Sequence, residues 1–252
     1  MSLKKRTMRN LKLTIEYEGT NYHGWQFQPN LTTIQGVIQE KILTITRERI
    51  KLIGAGRTDA GVHATGQVAS FRLKGDIPLP NLWKGLNSLL PPDIRITELE
   101  QVEDRFHARY HAKSKEYKYQ IFTGKVLSPF LCRYVYHLPF DLKLEEMFAA
   151  AELFVGNHDF TPFSPAVRGR KNAIREVFSS SFIQQKEMLI FRIRANGFLQ
   201  YMTRNIVGSL IEVGKGKLSR ENIQEVLKTP DLSDLIAPTA PPQGLFLMKI
   251  EY

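Results

Sequence analysis

Residues 54–66 read GAGRTDAGVHATG, with one aspartate, Asp59, two positions after Arg57 and four before His63, inside a run of glycines. Such a run invites three tests. The dinucleotide pattern G-x-G-x-x-G, started at Gly54, needs a third glycine where Asp59 stands. The phosphate loop G-x-x-x-x-G-K-[ST], closed at Gly56, fails twice: Lys51 sits at its first position and Arg57 replaces its lysine. Asp59 and His63 form a conceivable metal pair, but no second carboxylate or cysteine clusters beside them, and metal sites want more ligands. The carboxylate itself is left. In one reading Asp59 bonds loop amides, as turn aspartates do. In the other it does chemistry. A carboxylate beside a cation stays ionised at neutral pH, and an exposed, ionised aspartate can act as a nucleophile or a base.

Strands and helices must hold this loop. Leu11, Leu13, Ile15 and Tyr17 alternate with polar residues, as in a half-buried strand. Thr33 is placed to cap a helix whose stripe runs through Ile34, Val37, Ile38, Lys41, Ile42 and Ile45. A short strand is expected near Ile50–Ile53 and another over Val68–Leu73, one on each side of the glycines. A helix over Leu82–Leu90 is stopped by Pro91 and Pro92, and Ile94, Ile96 and Leu99 suggest a further strand.

The second half repeats this order without repeating residues. Tyr117, Tyr119 and Ile121 alternate in a strand, and Leu144–Phe154 reads as a helix. Ile174–Ile183 and Met188–Ile193 read as a strand pair, Phe198–Val213 and Arg220–Leu227 as helices, and Gly244–Tyr252 as a closing strand. Each half suits a split βαβ sheet with helices on one face. The expected fold is therefore α+β: two RRM-like, ferredoxin-like (split βαβ) halves with mixed, mainly antiparallel sheets meeting at a central cleft. Residues 1–108 would carry the Arg57-Thr58-Asp59 loop. Residues 109–252 would carry the tyrosine strand and a basic irregular segment, Pro162–Arg175, with Arg168, Arg170 and Lys171.

Composition narrows the partners. The 252 residues carry 35 Lys+Arg against 25 Asp+Glu, a net charge of +10. Such an excess favours a polyanion, nucleic acid first. Aromatic side chains among the basic ones, as in Phe106-His107-Ala108-Arg109-Tyr110, suit stacking on unpaired bases. The single cysteine, Cys132, excludes an internal disulfide and fits a reducing cytoplasm. No apolar run is long enough for a signal peptide or for the roughly 20 residues of a membrane span.

The loop, extended to GAGRTDAGVHATGQVASF, resembles the signature of the TruA-type tRNA pseudouridine synthase family. Five more blocks resemble that family in the expected order: YEGTNYHGWQFQP from Tyr17, FHARYHAKSKEYKY from Phe106, GNHDFTPF from Gly156, MTRNIVGSLIEVGKG from Met202 and APPQGLFL from Ala240. The resemblance spans essentially the whole chain. It implies an isomerase that turns uridine into pseudouridine in the anticodon stem-loop of tRNA, at the thirty-eighth to fortieth nucleotides. It also implies a cytoplasmic homodimer with one tRNA touching both subunits. In the reaction the C1′–N1 bond breaks, the uracil turns, and C1′ bonds to C5. No atoms are gained or lost, so no cofactor and no metal are implied.

By the same resemblance Asp59 is the catalytic carboxylate. Cleaving a glycosidic bond develops oxocarbenium character at C1′, which a carboxylate can stabilise, attack, or relieve by taking a ribose proton; attack of Asp59 on C1′, its attack on C6 and abstraction of the 2′ proton all stay open at this point. Tyr117 matches the active-site tyrosine, which would stack on the uracil and help move the C5 proton. Arg204 matches an arginine that pairs with the aspartate. Helix geometry places it about 200° from Met202, away from an apolar stripe of Met202, Ile206 and Leu210. Arg57 matches a residue that helps extrude the target base, which must leave the stack to react. Leu245 is read as an apolar wall of the base pocket or as plain strand core. Phe106, His107 and Arg109 belong to the RNA-facing set, and Arg109, Arg168, Arg170 and Lys171 are read as phosphate contacts. Two other classes remain: a non-catalytic RNA-binding protein, which would not need Asp59, and a metal-dependent nuclease, which would need clustered acidic ligands.

Overall fold

A computed structural model describes residues 8–164, 173–229 and 237–252. The chain divides into two compact units, one of Met1–Ala112 with Leu247–Ile250 and Tyr252, the other of Lys113–Phe246 with Glu251. The sequence-based division at 108 and 109 differs from this by a few residues. It also differs in the last strand, which returns to the first unit.

In the first unit β1 (Met8–Tyr17) runs antiparallel to β3 (His63–Lys74), with Leu11 opposite Phe71 and Leu13 opposite Ala69. It also runs antiparallel to β4 (Ile94–Val102). The alternating Leu11, Leu13, Ile15 and Tyr17 are buried as their period demands. β2 is only Ile53–Gly54, paired antiparallel with Ser70 and Ala69 on the other side of β3 from β1. Two parallel strands thus flank an antiparallel one, which defines a split βαβ unit. Between β1 and β2 runs α1 (Ile34–Thr46). The Thr33 hydroxyl caps it by accepting from the Gly36 N–H, and Ile34, Ile38 and Ile42 are its buried face. Val37 and Ile45 are only half-buried, so the stripe is narrower than expected. α2 (Leu79–Leu89) starts after Pro78, buries Leu82 and Leu86, and stops before Pro91. The final strand, β10 (Leu245–Glu251), lies beside β3, so close that a Cβ on Gly66 would stand 2.2 Å from the Met248 carbonyl oxygen.

The second unit repeats the plan. β5 (Ser114–Phe122) pairs antiparallel with β9 (Met188–Ala195), Tyr119 opposite Phe191. β8 (Ile174–Gln185) pairs antiparallel with β9 on its other side, through a turn that puts Lys186 at φ 56°. α3 (Leu144–Glu152) joins β5 to this hairpin and buries Met147, Ala150 and Ala151. α4 (Met202–Gly214) and α5 (Arg220–Lys228) follow, the latter started by a capping box between Ser219 and Asn222. The fold is α+β, with split βαβ order in each unit.

Further details depart from the sequence reading. Tyr136–His137 forms β6, parallel to the end of β5, and Gly156–Asp159 forms β7, antiparallel to β8. Both are too short to leave a period. α4 begins at Met202 rather than Phe198, because Tyr201 has φ 62°, a left-handed backbone that a right-handed helix cannot include.

Candidate active site

The Asp59 loop follows β2 and is tied down by hydrogen bonds along its length. The Ala55 N–H donates to the Val68 carbonyl at 2.8 Å, and Gln67 Nε2 donates to the Gly56 carbonyl at 3.0 Å. Thr58 is buried, its hydroxyl 2.8 Å from the Tyr17 hydroxyl, and its carbonyl accepts the Trp25 N–H at 3.1 Å. The loop closes with the Val62 N–H donating to the Asp59 carbonyl and the Gly61 N–H to the Tyr22 carbonyl. Burial alternates along the motif: Arg57 exposed, Thr58 buried, Asp59 half-buried. Anchoring Thr58 therefore turns Arg57 and Asp59 away from the core. Burial pushes the Tyr17 hydroxyl far above its ordinary pKa, so its bond to Thr58 is a neutral one.

Two glycines make room. Gly24 has φ +84°, and a Cβ there would lie 2.6 Å from the Thr58 carbonyl oxygen, so only glycine lets this segment press on the motif. In the second unit a Cβ on Gly244 would lie 2.7 Å from the Tyr119 ring and 2.8 Å from the Gln120 carbonyl. Leu245, which follows, is buried at 5 % exposure.

His63 does not fit the metal-pair reading. It is buried, and its Nδ1 accepts the Gly19 N–H at 3.0 Å, with Glu18 3.5 Å away. That ring nitrogen is spent on holding the chain. Among the described residues no three His, Cys, Asp or Glu side chains cluster to hold a metal ion.

Tyr117 and Arg204 belong to the second unit. Tyr119 is the core tyrosine of their strand: it is fully buried, its hydroxyl donates to the Pro241 carbonyl at 2.8 Å, and burial pushes its pKa far up. Tyr117 sits on the same face at 6 % exposure and meets the Phe198 ring edge-on, centroids 4.8 Å apart. Arg204 lies in the first turn of α4. Its Nε donates to the Ala240 carbonyl at 2.7 Å, the Ala240 N–H returns a bond to the Arg204 carbonyl at 3.1 Å, and the guanidinium lies over the Tyr201 ring at 5.4 Å. Arg204 is thus half-buried rather than simply outward-facing. The apolar stripe expected on one side of α4 is in fact burial on nearly all sides, broken at Arg204 and Glu212.

Among the RNA-facing residues, Arg57 and Arg109 are exposed. Phe106 is half-buried against Tyr252, ring centroids 4.9 Å apart. It lines a cavity of about 680 Å³ with Val102, Arg105 and His111; Asp59 is not part of that wall. His107 stacks on Tyr110. Arg168, Arg170 and Lys171 lie outside the described residues. Sequence reasoning missed the anchors: Trp25 and Tyr22 stood in a quoted block and Tyr17 in a strand, but no reading gave any of the three a hold on the Asp59 loop. Phe198 was assigned to a helix it does not join.

The sequence pattern of the tRNA pseudouridine synthase family matches residues 13–111 and 150–252, which include Asp59, Arg204 and Leu245. The chain belongs to the tRNA pseudouridine synthase family. It is 45 % identical over 245 residues to the tRNA pseudouridine synthase A of Thermoanaerobacter sp. (strain X514), covering 97 % of this chain and 100 % of that one. It is 46 % identical over 256 residues to the protein of the same name from Thermodesulfovibrio yellowstonii, at the same coverage. Among solved structures, the crystal structure of the archaeal box H/ACA sRNP Nop10–Cbf5 complex aligns with TM-score 0.32 and 14 % identity, covering 94 % of this chain and 70 % of that one. Pseudouridine synthases are isomerases, and the substrate of this family is tRNA. Tyr117 falls between the two matched segments.

Proposed function

We propose that this isomerase converts uridine to pseudouridine in the anticodon stem-loop of tRNA, with Asp59 as the catalytic carboxylate. The observation that carries the reading is the alternation in the motif: a buried, hydrogen-bonded Thr58 turns out a half-buried carboxylate and an exposed arginine. The reaction calls for a carboxylate beside the reacting nucleoside, to attack C1′, to attack C6 or to take the 2′ proton. A second carboxylate that activated water would hydrolyse the glycosidic bond and lose the uracil.

The remaining roles follow in order of support. Arg57, exposed beside Asp59 in sequence, fills the space left by the extruded base and offsets part of the few kcal/mol that unstacking costs. Tyr117 presents its ring to the uracil and takes part in moving the C5 proton to solvent while N1 is protonated. Arg204 supports the ionised state of the catalytic centre. Leu245 walls the base pocket, and Arg109, Phe106, His107 and the Arg168, Arg170 and Lys171 segment bind the RNA. The same reading carries a homodimeric, cytoplasmic enzyme, checked by sedimentation and by cell fractionation.

The test is to incubate the protein with an unmodified tRNA transcript, with and without a chelator, and to map pseudouridine along it. Pseudouridine confined to the anticodon stem-loop, with or without chelator, is the expected outcome. Strand breaks that a chelator suppresses would replace this reading with the nuclease one.

A further inference from the structure

We infer that Tyr110, stacked on His107, is a landing platform for one unpaired nucleobase of the bound RNA, a contact that rests on the tRNA reading above. Tyr110 is 75 % exposed, yet it is not a loose surface ring. Its ring lies on the His107 imidazole with centroids 4.2 Å apart and planes 24° from parallel. His107 is itself held: its Nδ1 faces the N–H groups of both Arg109 and Tyr110 at 3.2 Å. A nitrogen that accepts must be unprotonated, so the other nitrogen carries the proton. Burial, with the nearby charges of His111, Arg109 and Lys51, disfavours the charged ring further and lowers its pKa. The result is a neutral aromatic surface, fixed by the backbone, with a second ring laid on it and most of that ring in water.

This arrangement suits a base better than a protein side chain. Stacking on a nucleobase needs a flat face held still, and prior immobilisation lowers the entropy lost on binding. Cations for neighbouring phosphates stand nearby: Arg109 is the exposed sequence neighbour of Tyr110, and exposed Lys51 bears electrostatically on His107. An aromatic face flanked by positive charge is how single-stranded nucleic acid is gripped without reading its sequence. A paired base has both faces covered by its neighbours, so the platform selects a nucleotide from a loop or a junction.

The experiment measures affinity of the full chain for an unmodified tRNA transcript at several salt concentrations. Tyr110→Phe keeps the stack and should bind within about twofold of the native protein. Tyr110→Leu keeps apolar bulk without a π-face and should lose about tenfold at every salt concentration, with an unchanged salt slope. Arg109→Ala should instead flatten the slope by about one phosphate equivalent. The added fluorescence of Tyr110→Trp should be quenched when tRNA binds. Native affinity in Tyr110→Leu, a slope change in that variant, or an unquenched Tyr110→Trp complex each overturns the platform. Thermal unfolding of the variants at the native temperature ensures that lost folding is not read as lost stacking. If the native protein forms no pseudouridine, the functional reading falls, and the affinity and quenching comparisons still decide whether Tyr110 stacks on RNA.

Discussion

The Asp59 loop and the first turn of α4 each hold a charged side chain of the matched motifs, and they hold it in opposite ways. Around Asp59 the anchors are its neighbours: Thr58 bonded to Tyr17, Gly56 to Gln67, and the loop backbone to Trp25 and Tyr22. At the start of α4 the charged residue is its own anchor, because Arg204 bonds Ala240 through both its side chain and its backbone. Asp59→Asn, which keeps the shape of the side chain, leaves those neighbouring bonds in place, whereas Arg204→Ala removes one that Arg204 itself makes. Mutations should therefore separate chemistry from folding in the first region and mix them in the second.

The largest expected effect on stability breaks the first region from outside. Gly24→Ala forces a Cβ onto a left-handed backbone and against the Thr58 carbonyl, and should cost on the order of 3 kcal/mol in chemical denaturation, with activity lost as well. Next comes Arg204→Ala. Removing a charged hydrogen bond to a backbone carbonyl should cost about 2 kcal/mol and lower turnover together. If its tRNA affinity falls as much as its turnover, Arg204 is a phosphate contact instead. Thr58→Val removes the tie to Tyr17 and should cost about 1.5 kcal/mol, with a clear loss of turnover because Asp59 is no longer aimed. Tyr119→Phe leaves the Pro241 carbonyl without that donor and should cost about 1 kcal/mol, with near-native turnover. A Thr58→Val enzyme as active as the native one would erase the contrast between the regions.

Much of this was legible in the sequence, and the misses have physical causes. Period-2 burial in β1 and β5 and the Thr33 cap of α1 are local signals, so they could be read. β6 and β7 are too short to show a period, and the left-handed Tyr201 that delays α4 leaves no compositional mark, since tyrosine is an ordinary helix residue. The return of Leu247–Ile250 to the first unit is a long-range pairing, which no window along the chain contains. At the site, the glycines and the Arg57-Thr58-Asp59 order pointed to a shaped turn. That the Trp25 N–H, the Tyr22 carbonyl and the Gln67 amide would meet the loop was hidden, because a sequence names donors and acceptors but not which of them pair. His63 misled in the same way: its type suggested a ligand, and its place made it a brace for Gly19.

The central claim is that Asp59 serves the reaction and not the fold. It is tested most directly by Asp59→Asn in a single-turnover assay on saturating unmodified tRNA, with unfolding and tRNA affinity measured on the same preparation. The account predicts native unfolding, near-native affinity, and pseudouridine formation slowed at least about a thousandfold. Appreciable pseudouridine from that variant, or loss of folding in step with loss of activity, would contradict it.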